Sequence, residues 1–136
     1  MDDKSFESIL KKIKDFEFNE QFDVVVAVAN GGIVPAALLN QKLGLDMQLL
    51  KIHFRNAAQQ AEHSQPVLLE PIAFDPTNKT ILLVEDRVKT GASLALAKSI
   101  LLGEGAKLVK TFAVNGQADY CLFNETCFRF PWIIHV

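Results

Sequence analysis

The residues best suited to chemistry lie in the stretch ILLVEDRVKTGAS, at positions 81–93. Two adjacent carboxylates, Glu85 and Asp86, follow four apolar residues there, although their like charges repel each other. Such oxygens accept hydrogen bonds from hydroxyls or bind a hydrated Mg²⁺. The Thr-Gly-Ala-Ser turn at 90–93 opens a helix, whose free N–H groups and positive end favour an anion. Together these groups could bind a sugar phosphate; the alternative is that Asp86 or Thr90 merely caps the helix.

A second candidate turn, Asn30-Gly31-Gly32, ends the apolar run from Phe22 to Ala29. A valine-rich run of this kind is typical of a strand buried on both faces of a parallel sheet. Neither turn contains the G-x-x-x-x-G-K-[ST] or G-x-G-x-x-G pattern of common nucleotide loops. Ligands of such sheets bind beyond the carboxyl ends of the strands, so we expect both turns to lie at the site.

Strands and helices alternate along the chain and would position these turns. Apolar spacing predicts helices over 6–16, 35–43 and 92–102, with glycines after the last two. Strand patterns predict strands over 22–29, 47–55, 80–84 and 108–114, a short piece at 67–69, and short strands at 120–123 and 130–134. This order predicts one α/β domain over residues 1–136, with a mainly parallel sheet flanked by helices. The polar segment 56–66 is expected to be a loop.

Composition narrows the classes of function. A formal net charge of -2 gives no strong attraction to nucleic acid or to an anionic membrane. No apolar run approaches membrane-spanning length and the first residues do not resemble a signal peptide, so we expect a cytoplasmic protein without a membrane partner. Cys121 and Cys127 are too few for a disulfide scaffold or a zinc site, and this favours two small buried residues.

Three stretches resemble the type I phosphoribosyltransferases, and in particular their small xanthine, hypoxanthine and guanine members. VEDRVKTGAS resembles the phosphoribosyl pyrophosphate motif, VVVAVANGGIVPAALL the pyrophosphate loop, and ADYCLFNETCFRFPW the ending of the purine enzymes. The resemblance implies the type I phosphoribosyltransferase fold and a homodimer. It also implies Mg²⁺ as cofactor, phosphoribosyl pyrophosphate or a nucleoside monophosphate as ligand, and a nucleobase as second substrate. We expect little or no hood over the base, because only four residues follow Trp132.

The same resemblance implies roles for individual residues. Glu85 and Asp86 would hold the ribose hydroxyls and Mg²⁺, and both would be catalytic together with Lys89. The substrate-binding residues would be Asn30, Gly31, Gly32, Arg87, Val88, Thr90, Gly91, Ala92, Ser93 and Phe128. The implied reaction is displacement of pyrophosphate from C1 of the ribose by a nitrogen of the base, through an oxocarbenium-like state.

Four positions depart from the purine pattern where the resemblance places chemistry. Asn30 stands in place of a cation beside the two glycines, and Lys89 in place of an Asp that acts as general base. Asn115 replaces a Lys that meets the purine 6-oxo group, and Cys127 replaces a Trp that borders the base. Two interpretations follow: a transferase, or a catalytically degenerate module that binds a nucleotide or phosphoribosyl pyrophosphate and regulates a partner.

Two further groups of side chains leave alternatives open. Lys51, His53 and Arg55 share one face of a predicted strand and could supply the missing cation, or could form a solvated edge or a dimer surface. Phe128 and Trp132 could flank a planar base, although aromatic residues near a chain end more often belong to the core.

Overall fold

The computed structural model describes residues 3–53, 66–126 and 128–134. The elements, in chain order, are α1 (Phe6–Asp15), β1 (Val24–Ala29), α2 (Ile33–Leu43), β2 (Asp46–His53), β3 (Val67–Leu68), β4 (Thr80–Arg87), α3 (Ala92–Gly103), β5 (Leu108–Asn115) and β6 (Tyr120–Phe123). Local sequence explains the helix ends. The Ser5 hydroxyl accepts a hydrogen bond from the Ser8 amide at 3.0 Å and begins α1. Gly44 ends α2 with a φ of 66°, a left-handed conformation that favours glycine.

The strands form one six-stranded sheet in the order β3-β2-β1-β4-β5-β6. All neighbouring strands are parallel except β2 and β3, which pair antiparallel at one edge. The predicted α/β fold with a mainly parallel sheet is therefore confirmed. Because β1 lies between β2 and β4, the direction of strand addition reverses at β1, and the crevice beyond β1 and β4 is where such sheets bind ligands.

Helices cover both faces of the sheet and enclose two apolar cores. Alternate side chains of β4 point to opposite faces: Leu82 and Val84 join the core beneath α1 and α2, while Ile81 and Leu83 join the core beneath α3. Every residue of β1 is buried, as expected for a central strand. This double burial fixes the ends of β1 and β4, which carry both candidate turns.

The other predicted ends that the structure describes agree within two residues, but two strand predictions differ more from the structure. The strand predicted to end at Val84 continues to Arg87, because Glu85 and Arg87 pair with β5. The strand predicted at 130–134 is wrong: residues 131 and 132 form a turn, and none of these five described residues belongs to a strand. The preceding residue, Arg129, makes an isolated bridge to Asp3. Residues 54–65, which include Arg55 and most of the predicted loop, lie outside the described residues.

The segment after β6 packs against the start of the chain. Lys4 Nζ lies 3.0 Å from Glu125 Oε1, and the Arg129 Nε lies 3.5 Å from Asp3 Oδ1. Among residues 124–126 and 128–134 there is no further helix or strand to form a hood. Within the described parts of the chain, no helix is long and apolar enough to cross a membrane.

Candidate active site

The two acids, Glu85 and Asp86, lie within β4 near its carboxyl end, and not in the loop that follows this strand. Glu85 is half-buried and lines a pocket at the start of α3. The Asp86 carboxylate lies against Gly31, where an added Cβ would sit 2.6 Å from Asp86 Oδ1. Asp86 Oδ1 also accepts a hydrogen bond from the Arg87 amide at 2.6 Å. Gly31 is therefore required to let the turn after β1 approach the acid pair.

The acid pair has unusual electrostatics. Burial, and then the negative charge of Asp86, raise the pKa of Glu85 from 4.5 to about 8. One Glu85 oxygen accepts the Asp86 amide at 3.1 Å. Glu85 consequently holds a proton at neutral pH until a cation or a hydrogen-bond donor favours its ionised form.

The turn after β4 opens α3, whose first N–H groups have no acceptor within the helix. Gly91 is the N-cap residue of α3 and has a φ of 84°, in the left-handed region. Gly91 has no side chain that could cap the helix. Among the described residues, Thr90 Oγ1 is the one side-chain acceptor at this helix start, and it accepts a hydrogen bond from the Ala92 amide at 3.2 Å. The turn lines a pocket of about 170 Å³, which we call the turn pocket; its lining residues are Glu85, Arg87, Val88, Lys89, Thr90, Gly91, Ala92, Ser93 and Leu94. It presents helix-start N–H groups and two hydroxyls to an anion.

The Asn30-Gly31-Gly32 turn packs tightly against the end of β4. An added Cβ at Gly32 would lie 2.3 Å from the carbonyl oxygen of Val84, so only glycine fits. The Gly32 amide donates to the Val28 carbonyl at 2.8 Å, which closes the turn. Asn30 is exposed at its tip. The structure therefore brings the two predicted turns together at the carboxyl ends of β1 and β4.

Arg87 occupies the position between the acids and the turn. Its guanidinium carbon lies 4.8 Å from the centre of the Phe130 ring, and its Nη2 donates to the carbonyl of Phe128. Its Nε is buried and finds no acceptor among the described residues. Phe130 in turn stacks on Trp132, with ring centres 4.9 Å apart. These contacts hold the cation in place.

A second pocket, of about 150 Å³, adjoins the first across residues 87–89. We call it the adjoining pocket; it is lined by Arg87, Val88, Lys89, Asn115, Gly116, Asn124 and Glu125. The Val88 amide donates to the Asn115 carbonyl at 2.9 Å, and Gly116 packs on Val88 so closely that a Cβ would lie 2.5 Å from its carbonyl oxygen. Asn115 is buried, and its amide group is hydrogen-bonded to the backbone of Glu125.

Some predicted residues do not face these pockets. The Phe128 ring is 2 % exposed and packs edge-on against Phe123 and Phe130, so its side chain belongs to the core and only its carbonyl, through Arg87, reaches the site. Lys51 pairs with Glu70 at 3.1 Å at the sheet edge. Cys127 lies outside the described residues.

Sequence reasoning did not find how Arg87 is held. The only signal in the sequence was a cation directly after two acids, at the polar end of a strand whose centre is apolar.

The acid pair has the right donor chemistry for Mg²⁺. No group of three or more His, Cys, Asp or Glu side chains that could hold a metal occurs within the described ranges. Mg²⁺, however, is usually bound by one or two carboxylates together with substrate oxygens and water. Glu85 and Asp86 therefore fit a cation that arrives with its substrate.

Comparisons with known proteins agree with this geometry. The phosphoribosyl transferase domain model matches residues 4–129. The orotate phosphoribosyltransferase of Sulfurisphaera tokodaii is 27% identical over 114 residues, which are 84% of this chain and 54% of that protein. The xanthine-guanine phosphoribosyltransferase of Idiomarina loihiensis is 24% identical over 124 residues, which are 86% of this chain and 74% of that protein.

A solved structure is similar over most of its length. The purine phosphoribosyltransferase from Pyrococcus horikoshii has a TM-score of 0.70 and 26% identity, over 93% of this chain and 84% of that one. The sheet order, the acid pair on β4 and the turn that opens α3 are thus accompanied by a family match over nearly the whole sequence. The chain belongs to the phosphoribosyl transferase domain family and has the type I phosphoribosyltransferase fold.

Proposed function

We propose that this protein transfers a phosphoribosyl group from phosphoribosyl pyrophosphate to a nucleobase, with Mg²⁺, and releases pyrophosphate. The observation that supports it most is the meeting of three features at one sheet end: the Glu85 and Asp86 carboxylates, the Gly31 turn and the opening of α3. The family match and the transferase names of the relatives support the same class of reaction. They do not favour the alternative of a non-catalytic regulatory module.

Each part of the site would have a separate task. The turn pocket would hold the 5′-phosphate through N–H groups of residues 90–93 and the hydroxyls of Thr90 and Ser93. Asp86 would accept a hydrogen bond from a ribose hydroxyl, and Glu85, ionised once the cation is bound, would help to stabilise the positive charge that develops on the sugar. The Gly31 turn would carry the pyrophosphate through its backbone, since Asn30 offers no charge. Mg²⁺, when bound by the two carboxylates, would supply charge neutralisation to the leaving pyrophosphate.

The test is release of pyrophosphate from phosphoribosyl pyrophosphate in a panel of nucleobases, with Mg²⁺ and with a chelator. We expect release with at least one base, and only in the presence of the metal. Silence across the panel would contradict the proposal. Formation of a homodimer and a cytoplasmic location stay predictions; sedimentation velocity measures the first.

Asp86→Asn tests the site assignment directly. Asp86 lies at a strand end and contributes little to either core, so we expect a large loss of affinity for phosphoribosyl pyrophosphate with little change in melting temperature. A helix cap would behave in the opposite way and lose about 1 kcal/mol of stability. Calorimetric titration and thermal unfolding of the same sample distinguish the two outcomes.

A further inference from the structure

Two cations face the adjoining pocket, and both are free of acidic partners among the described residues. Arg87 and Lys89 line this pocket as well as the turn pocket, so they lie between the two. Neither makes an ion pair within residues 3–53, 66–126 and 128–134. The buried Nε of Arg87 lacks an acceptor there too.

The acidic groups near the adjoining pocket are occupied or turned elsewhere. Glu125 is its one acidic lining residue among those described, and its carboxylate pairs with Lys4 at 3.0 Å. Glu85 lines the turn pocket but not this one, and the Asp86 carboxylate lies against Gly31. The other lining side chains that can hydrogen-bond are the amides of Asn115 and Asn124. Among the described residues, the pocket therefore carries an uncompensated positive charge, and its one lining carboxylate is already paired with a cation.

From this charge pattern we infer that the protein selects an acidic nucleobase, one whose ring N–H is ionised near neutral pH, and that Arg87 and Lys89 determine this specificity. The inference rests on the proposed function, since it places the base in the pocket next to the sugar-phosphate site. A neutral base must lose a proton from its attacking nitrogen, and no unpaired carboxylate among the described lining residues is there to accept it. An acidic base has already given its proton to solvent, and two nearby cations favour that ionised form further.

The transfer then balances without a general base. The electron pair of the base nitrogen forms a bond to C1 of the ribose as the bond from C1 to the pyrophosphate oxygen breaks. That oxygen leaves with its electron pair, and the negative charge of the base is consumed in the new bond. Arg87 is suited to hold an anionic oxygen of the base in one place, because Phe130 and the Phe128 carbonyl fix its guanidinium.

Equilibrium binding of two matched nucleotide pairs tests the inference without turnover. Xanthosine and inosine 5′-monophosphates differ by an oxo group that makes the ring N–H of the first base acidic, and 6-azauridine and uridine 5′-monophosphates differ by a ring nitrogen that does the same. Within each pair the phosphate and ribose are identical. We expect the acidic member to bind roughly tenfold to a hundredfold tighter in at least one pair, the range of one charge-assisted hydrogen bond. The responding pair identifies an acidic purine or an acidic pyrimidine.

Variants assign the preference to the cations. Lys89 is exposed, so Lys89→Met should fold normally and should bring the affinity ratio within the responding pair close to one. Any effect on the phosphate is shared by both members and cancels in the ratio. Lys107→Met is the matched control and should leave the ratio unchanged, because Lys107 is exposed and lies just before β5, at the opposite end of the sheet. Arg87→Met is the second variant, compared at a temperature where its unfolding curve shows a folded protein.

The outcomes separate this inference from the proposed function. Equal affinities within both pairs, no binding of any of the four nucleotides, or a preference that survives both Lys89→Met and Arg87→Met, would overturn the inference. A preference that these variants remove supports it even if no base releases pyrophosphate, and in that case only the proposed function fails. Turnover with neutral purines alone, with equal nucleotide affinities, would leave the proposed function standing and remove the inference.

Discussion

At the scale of single residues, the site is defined by close approaches that demand particular side chains. Glu85 is half-buried and lies beside Asp86, so its ionised form is unfavourable. Asp86 has room only because Gly31 has no Cβ. Such an arrangement costs stability in the free protein and is typical of groups kept for a ligand.

The raised pKa of Glu85 predicts how stability depends on pH. Between its ordinary value of 4.5 and about 8, the folded protein holds a proton that the unfolded chain has lost. Stability contributed by this group therefore falls as pH rises through that range and is level above it. Glu85→Gln removes the titration, and each unit of pKa shift is worth about 1.4 kcal/mol. We expect the variant to match the wild type near about pH 4.5 and to exceed it by a few kcal/mol near about pH 8.

Urea unfolding at several pH values measures this difference. Glu17→Gln, an exposed acid between α1 and β1, is the control and should give the same pH dependence as the wild type. A constant offset between Glu85→Gln and the wild type at every pH would show that Glu85 is not the titrating group.

Gly31→Ala should remove the site and leave the fold. The new Cβ would lie 2.6 Å from Asp86 Oδ1, and a side chain end moves more easily than backbone, so Asp86 would turn away. We expect affinity for phosphoribosyl pyrophosphate with Mg²⁺ to fall by at least about tenfold, equal to about 1.4 kcal/mol. Gly103→Ala, where an added Cβ meets nothing within 4 Å, is the control and should bind normally in the same calorimetric titration. Unchanged affinity in Gly31→Ala would separate Asp86 from the ligand.

At the scale of elements, the pairing of a buried strand with a helix start creates the proposed anion site, and the sequence predicted both elements. The apolar runs of β1 and β4 predicted strands, because strands that are buried on both faces consist of nearly continuous apolar residues. The sequence also indicated that Gly91 lies at the start of α3 and that Gly44 ends α2.

The rest depended on contacts distant in sequence. The last three residues of β4 are polar, and only their register with β5 makes them a strand. The mostly apolar residues at 130–134 fit a strand pattern, and this pattern did not indicate the turn at 131 and 132. The place of Arg87 depends on Phe130 and the Phe128 carbonyl, which lie more than 40 positions away. The burial of the Phe128 ring could not be predicted either, because it depends on packing against both Phe123 and Phe130.

Gly91→Val tests whether the start of α3 binds a phosphate monoester. A side chain at a φ of 84° is strained, and relief of that strain would turn the N–H groups away from the turn pocket. We expect ribose 5-phosphate binding, measured by calorimetry, to be lost. Gly44→Val has a similar φ of 66° at the end of α2 and controls for strain alone; it should lose stability and keep binding. Loss of binding in both variants, or in neither, would argue against an anion site at this turn.

At the scale of the whole molecule, the start of the chain and the segment after β6 close one side of the adjoining pocket together. Lys4 pairs with Glu125 and lies 4.7 Å from the centre of the Phe123 ring. Asn115 holds the same Glu125 from beneath, with its Oδ1 accepting the Glu125 amide at 3.0 Å and its Nδ2 donating to the Glu125 carbonyl at 3.4 Å. The wall of the pocket is thus held from the end of β5 and from the chain start.

These two attachments should differ in strength, and Asn115→Ala should cost more than Lys4→Met. Asn115 is 3 % exposed, and its loss removes two partly buried hydrogen bonds and leaves the Glu125 backbone groups without these partners, at a cost of about 1–3 kcal/mol. The ion pair of Lys4 is partly exposed and is worth about 0–1 kcal/mol, with a cation–π contribution of about 0.5–1 kcal/mol at most. Urea unfolding measures both, and Lys51→Met, which removes the exposed pair with Glu70, is the matched control. If Lys4→Met proved as costly as Asn115→Ala, the wall would depend on the chain start, whereas the expected order makes β5 its main support.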